Sequence, residues 1–194
     1  MTIQDTTLDV VGFVRRFHGL AREEFLSANP HPFLLGDPHG LVGQEAAFRT
    51  CTLSEPIEVD DVVDRPTDKN PKPGRALVPE QIYPIVKRPG TPFPHMISVG
   101  RSANNDIVLA FPAVSKLHAF FSHVPETGEW TLVDAESSNG TFLDDRRLVA
   151  HERYAVADGT RLVFGDIGLG WISSETMFES LGEIARRLAR AGLL

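Results

Sequence analysis

Residues 100–142 read GRSANNDIVLAFPAVSKLHAFFSHVPETGEWTLVDAESSNGTF. Three short polar motifs stand out: Gly100-Arg101-Ser102, Ser115-Lys116-Leu117-His118 and Ser137-Ser138-Asn139-Gly140-Thr141. Apolar runs of strand length, Ile107 to Phe111, Ala119 to Val124 and Trp130 to Val133, separate them, so each polar motif falls where one strand ends or the next begins. Working outwards, Gln81 to Lys87, Met96 to Val99 and Asp106 to Leu109 read as strands on one side. Thr141 to Leu143, Arg147 to Val149, Arg161 to Phe164 and Leu169 to Ile172 do so on the other. Thr127-Gly128, Asp144-Asp145 and Asp158-Gly159 supply turns between them. Short strands at intervals of about 8 to 12 residues predict an all-β sandwich. Pro84 inside the first strand predicts that it lies at a sheet edge.

Polar groups on loops above a rigid sheet are a common way to build a binding site. Arg101 offers a planar fork of donors that matches a phosphate or carboxylate, and Lys116 adds a compact, mobile charge. Ser115 and Ser138 can donate to anionic oxygens, while Asn139 can hold a peptide N–H and C=O at once. A phosphate, with about −1.5 to −2 charges and three strong acceptors, suits this set better than a bare carboxylate.

The ordered pattern of Gly-Arg, Ser-x-x-His and Asn-Gly-Thr between strands resembles the forkhead-associated (FHA) domain, a β-sandwich that reads phosphothreonine. The similarity covers about Gln81 to Ile172, half of the chain. By this resemblance Arg101, Ser115 and Ser138 contact the phosphate and Lys116 joins them. Asn139 clamps the peptide backbone just after the phosphothreonine, and Gly100, His118, Gly140 and Thr141 hold the loops in shape. The implied partner is a phosphothreonine-containing protein or a Ser/Thr kinase in a signalling pathway, bacterial by general resemblance, with no cofactor. The chain departs from the family after Gly-Thr, where Asp144-Asp145 replaces a frequent Asn-Gly turn. A carboxylate there is expected to repel acidic residues of a bound peptide.

The chain has 194 residues, 42% of them hydrophobic and 23% charged, which is ordinary globular composition. Its single cysteine, Cys51, excludes an internal disulfide framework or a multi-cysteine metal site. No apolar run approaches the roughly 18 residues needed to span a bilayer, and the first residues lack a basic signal-peptide region. The sequence therefore predicts a cytoplasmic protein without membrane association. A net charge of −7 disfavours general nucleic-acid binding. Between Thr91 and Pro125, however, the only charged side chains are Arg101, Lys116 and Asp106, so the motif region is a positive spot on an acidic chain.

Three segments are expected: an N-terminal extension over 1–75, the sandwich over 76–174 and a C-terminal helix over 175–194. In the extension, Val10, Phe13, Val14, Phe17, Leu20 and Ala21 predict one amphipathic helix from Thr7 to Leu26, capped by Thr6 or Thr7. Ala28 to Gly43, rich in Pro, Gly and His, reads as coil. His31 and His39 there lack the accompanying ligands of a metal site. Ala46 to Leu53 is expected as a strand, Glu55 to Asp64 as an acidic arm, and Asp64 to Gly74, with Pro66, Pro71 and Pro73, as a linker. Some bacterial FHA proteins carry a phosphorylatable Thr-Thr near the N-terminus that folds back into their own pocket, and Thr6-Thr7 offers the same arrangement. At the other end, Met177, Leu181, Ile184 and Leu188 form an apolar stripe, with glutamates early and arginines late as the helix dipole favours. The terminal helices pack on the sandwich or each other, or offer a surface for self-association.

Catalysis finds little support. Ser115-x-x-His118 lacks a nucleophile elbow, Gly165-x-x-Gly168-x-Gly170 lacks the Lys-Ser/Thr of a P-loop, and Asp144-Asp145 is more simply a turn. Two readings remain: a phosphothreonine-peptide reader, or a phosphate-independent adaptor in a larger assembly such as a secretion apparatus.

Overall fold

The computed structural model describes residues 8–36 and 81–194. Thr6, Thr7, the expected strand at Ala46–Leu53, the acidic run and the Pro-rich linker lie outside the described residues.

The architecture is mainly β, in two sheets backed by helices. One sheet has five strands in the order β10-β7-β6-β4-β5, formed by Tyr154–Val156 (β10), Glu129–Asp134 (β7), Ala119–Val124 (β6), Ile97–Gly100 (β4) and Ile107–Val108 (β5). Only the β4–β5 pair is parallel. The other has seven, in the order β1-β3-β2-β12-β11-β8-β9: Leu8–Asp9 (β1), Gln81–Pro84 (β3), Phe33–Leu35 (β2), Ile167–Ile172 (β12), Arg161–Phe164 (β11), Thr141–Leu143 (β8) and Arg146–Arg147 (β9).

Side chains that alternate along the strands feed two separate cores. Leu34, Tyr83 and Trp171 face the five-stranded sheet and join Val99, Phe121, Leu132, Leu162 and Phe164 between the sheets. Their neighbours Phe33, Leu35, Ile82 and Ile172 face the opposite way, towards the helices. A strand covered on both faces reads as a continuous apolar run, which is why Phe33-Leu34-Leu35 is buried at every position.

The helices complete the second core. The expected single N-terminal helix is two: Val10–Phe17 (α1) and Arg22–Ala28 (α2), interrupted around Gly19. Asp9 caps α1 by accepting the Gly12 N–H at 2.8 Å, in place of either threonine. The break lets Phe25 turn back, edge-on to Phe17 at 5.7 Å and to Phe13 at 6.3 Å. The C-terminal helix Ser174–Arg190 (α3) is capped by Ser173, and its Met177, Leu181, Ile184 and Ala185 pack into the same core. Fully burying each such side chain contributes about 1.5–3 kcal/mol, so this second core binds the N-terminal residues firmly to the sandwich.

Residues 33–35, expected as coil, are thus a strand between β3 and β12. Pro84 is not in an edge strand, because β1 pairs along the outer side of β3. That pairing reaches only Gln81 and Ile82, however, so the missing N–H of Pro84 falls beyond it. Tyr154–Val156 adds a strand that the sequence reading omits.

Candidate functional site

The three polar motifs converge on the loops at one end of the two sheets, and buried hydrogen bonds hold them there. Gly100 ends β4 against the Ser115-Lys116 loop. A Cβ on Gly100 would come within 2.4 Å of the Lys116 carbonyl oxygen, so only glycine allows this approach. Arg101 N–H donates to the Ser115 carbonyl at 2.9 Å and Ser102 N–H to the Lys116 carbonyl at 3.2 Å. The Arg101 Nε donates to Val114 O at 3.0 Å, which fixes the stem and leaves the outer guanidinium edge exposed.

Ser115 and Ser138 meet directly. The Ser115 hydroxyl accepts the Ser138 N–H at 3.0 Å, and the two hydroxyl oxygens are 3.4 Å apart. Asn139 sits beside them, but one of its amide hydrogens is already used on the Ala113 carbonyl at 2.8 Å. Among the described residues, the carbonyl oxygen and the second hydrogen of that amide have no hydrogen-bond partner. Lys116 is exposed, and its carbonyl accepts from Asn105 Nδ2 at 2.7 Å.

His118 is fully buried beneath the loops. Its Nδ1 accepts the Ser115 N–H at 3.0 Å and its Nε2 donates to the Gly140 carbonyl at 3.1 Å, so the neutral tautomer protonated at Nε2 satisfies both contacts. Burial holds the imidazole below its ordinary pKa, against the opposing pull of the Gly140 carbonyl and the Asp134 charge. Neither ring nitrogen reaches the Ser115 hydroxyl as a base, and a catalytic Ser–His pair has no geometric basis here.

Gly140 adopts a φ of +86°, a conformation that favours glycine. Thr141, also fully buried, donates to the Asp134 carboxylate, which further accepts from the Ser137 hydroxyl at 2.6 Å and the Ser137 N–H at 3.0 Å. Burial pushes the Asp134 carboxyl up, but these donors outweigh it and hold the pKa below the ordinary value.

Asn105 and Asp106, which the sequence reading does not single out, support the site from below. Asn105 Nδ2 bridges the Ser102 and Lys116 carbonyls. The buried Asp106 carboxylate gathers Lys87 at 2.8 Å, Arg88 N–H at 2.8 Å, Ser98 N–H at 2.8 Å and the Thr91 and Ser98 hydroxyls. Burial opposes its charge, and the Lys87 and Thr91 contacts together with the backbone donors keep it ionised at a lowered pKa. The only sequence signal was a polar Asn-Asn-Asp run ahead of an apolar strand, which reads equally well as a turn.

The Asp144-Asp145 turn has φ of +45° and +67° and joins β8 to β9 through two residues, the twist that tight hairpins require. Both carboxylates are engaged: Asp144 accepts the Arg161 N–H at 2.9 Å and Asp145 the Arg161 guanidinium. They are tied to β11 through Arg161, whose guanidinium offsets the charge of Asp145 while Asp144, held by a backbone N–H, keeps its own.

Among the described residues no helix is long and apolar enough to cross a membrane, and no group of three or more metal-ligating side chains occurs.

Residues 97–165 match the family model for the FHA domain, and the chain carries an FHA domain over that stretch. The yeast (Saccharomyces cerevisiae) DNA damage response protein kinase DUN1 is 33% identical over 76 residues, 37% of this chain and 15% of that protein. The chain thus spans less than a sixth of this curated relative. Among solved structures, the MEK1 FHA domain is 25% identical, covering 50% of this chain and 80% of that one at a TM-score of 0.40. Mycobacterium tuberculosis EmbR in complex with a low-affinity phosphopeptide is 25% identical, covering 41% and 20% at a TM-score of 0.37. The N-terminal FHA domain of S. cerevisiae Rad53p with a phosphothreonine peptide is 22% identical, covering 43% and 72% at 0.37.

Proposed function

We propose that this protein is a non-catalytic reader of phosphothreonine peptides in Ser/Thr-kinase signalling, with Arg101, Ser115, Lys116 and Ser138 holding the phosphate and Asn139 the peptide backbone. The carrying observation is the meeting of the Ser115 and Ser138 hydroxyls, 3.4 Å apart, on the loop that Arg101 braces through the Ser115 carbonyl. Two hydroxyls and two exposed cations on a rigid frame match the charge and acceptor count of one phosphate. The FHA-domain match supports the same reading, since that domain is a binding module. Gly100, His118, Gly140 and Thr141 act indirectly, by fixing loop shape. The partner is a phosphothreonine-bearing protein or a kinase, met in the cytoplasm.

Fluorescence polarisation with an oriented phosphothreonine peptide library, beside phosphoserine and unphosphorylated controls, tests the reading. Charge-assisted hydrogen bonds contribute about 1.5–3 kcal/mol each, so Arg101→Ala weakens binding by roughly tenfold to a hundredfold. Lys116→Ala costs less, because a flexible ammonium is less committed to one geometry. Equal binding by wild type and Arg101→Ala refutes the pocket. Partner capture that survives phosphatase treatment points instead to the adaptor.

A further inference from the structure

A cleft of about 410 Å³ opens at the end of the sheets away from the three polar motifs. Trp130 stands there at the start of β7, whereas the 137–141 loop follows the other end of that strand. The lining combines Leu26 of α2, Pro30 and Pro32 ahead of β2, Trp130, Trp171 of β12 and Glu175 in the first turn of α3. Of these six only Trp130 falls within residues 97–165, so the cleft is built mostly by the segments that flank the FHA domain. Its volume suits a small ligand or a single long side chain, since such sites run to about 300–1,000 Å³.

The cleft is aromatic and anionic. Its two tryptophan rings are 6.5 Å apart and tilted by 58°, which makes a corner, and His123 stacks on Trp130 at 4.6 Å and steadies it. The buried Trp171 indole N–H has no acceptor among the described residues, so that ring can shift towards a ligand without breaking a hydrogen bond. Glu175 is exposed, and among the described residues its carboxylate has neither an ion pair nor a hydrogen bond. No lysine or arginine among the described residues lines the cleft, and burial holds His31 below its ordinary pKa, so the lining offers Glu175 no cation near neutral pH. The positive end of α3 does not reverse this balance. It is already answered by the Asp158 carboxylate, which accepts the Ser173 N–H at 2.9 Å and the Ser173 hydroxyl at 2.8 Å.

We propose that this cleft is a second binding site that takes a guanidinium on an apolar stem, with the cation against the Trp130 indole and its fork on the Glu175 carboxylate. An arginine side chain and a small alkylguanidine share that chemistry. Guanidinium suits the pairing of ring and carboxylate better than ammonium does, because it is planar, weakly hydrated and able to stack and fork at once. Leu26, Pro30 and Pro32 supply apolar surface for the methylene stem. The site stands independently of the phosphopeptide reading.

Both tryptophans of the chain line the cleft, so intrinsic fluorescence of the full protein reports on it directly. Titration with N-acetyl arginine amide is expected to give a saturable change, with binding about tenfold tighter than that of N-acetyl norleucine amide. That is the scale of a cation–π contact joined to an exposed ion pair. Glu175→Gln weakens arginine binding about threefold to fivefold without changing norleucine binding, and Glu175→Lys removes the preference for arginine. Both variants keep wild-type affinity for phosphothreonine peptides. Butylguanidinium and an alanine-flanked arginine peptide, titrated side by side, assign the source: the tighter of the two identifies a free small molecule or a protein segment, and either upholds the site. Equal binding of arginine and norleucine amides, a preference for arginine that persists in Glu175→Lys, or no saturable change with any guanidinium probe overturns the proposal.

Discussion

The Ser115 hydroxyl accepts the backbone N–H of Ser138 at 3.0 Å across 23 residues of sequence, so one oxygen both joins two loops and faces the candidate phosphate seat. Ser115→Ala removes the link as well as a ligand contact, and it is expected to weaken phosphothreonine-peptide binding more than Ser138→Ala does. Because the loops are coupled, the double variant costs less than the sum of the singles, by about 1 kcal/mol. Strict additivity in a polarisation titration of all four proteins would show two independent hydroxyls.

Asp106 is expected to be the most costly single polar substitution beneath the site. Asp106→Asn places a donor among donors and leaves Lys87 without its counter-charge, a loss of about 3 kcal/mol. Lys87→Met costs less, since the Lys87 side chain is 29% exposed and Asp106 keeps its backbone and hydroxyl donors. Urea unfolding of both variants measures the difference, and an equal or reversed order would show that the ion pair, not the donor set, holds the carboxylate.

Acid should act in two windows. His118 and His31 are both held below their ordinary value of 6.5, chiefly by burial. The unfolded chain then binds more protons than the folded one as pH falls below about 6.5, so the contribution of these groups is complete above that pH and is lost towards their folded values. Asp106 and Asp134, lowered from 3.8, contribute fully above about that pH and lose their share as pH falls through their folded values. Urea midpoints from pH 8 to 3 should decline in these two steps. In His31→Gln the first step shrinks but persists, and an unchanged midpoint between pH 7.5 and 5.5 would show that His118 titrates normally.

The Asp144-Asp145 turn places two non-glycine residues at positive φ, which costs about 1–2 kcal/mol each by backbone sterics, less for short polar side chains. Asp144→Asn with Asp145→Gly keeps an acceptor for the Arg161 N–H and gives up only an exposed ion pair. A net gain of about 1 kcal/mol is expected, visible as a rise in Tm. A fall in Tm would mean that the Arg161 pair outweighs the strain.

The sandwich strands were readable because half-buried strands such as Ala119–Val124 alternate and are separated by Gly, Asn and Asp turns. Phe33–Leu35 was not, since three apolar residues among prolines and a histidine carry no period, and only the pairing with β3 and β12 reveals their role. The apolar spacing over Thr7–Leu26 runs through Gly19 and so predicts one helix, while the aromatic packing of Phe25 demands the break. The three polar motifs pointed to one place, and the structure brings Arg101, Ser115, Ser138 and Asn139 together there. The parts of Asn105 and Asp106 depend on what lies across from them in the fold, which no local pattern encodes.

The placement of β2 constrains how the chain can be made. One side of Phe33–Leu35 finds its partner at Gln81–Pro84, but the other must wait for Ile167–Ile172, the latest in sequence of the described strands in this sheet. During translation the seven-stranded sheet therefore carries an open seam at its centre, with apolar faces uncovered until α3 arrives. A ribosome-stalled chain ending before residue 167 should bind holdase chaperones, and release of the remaining residues should close the seam late and cooperatively.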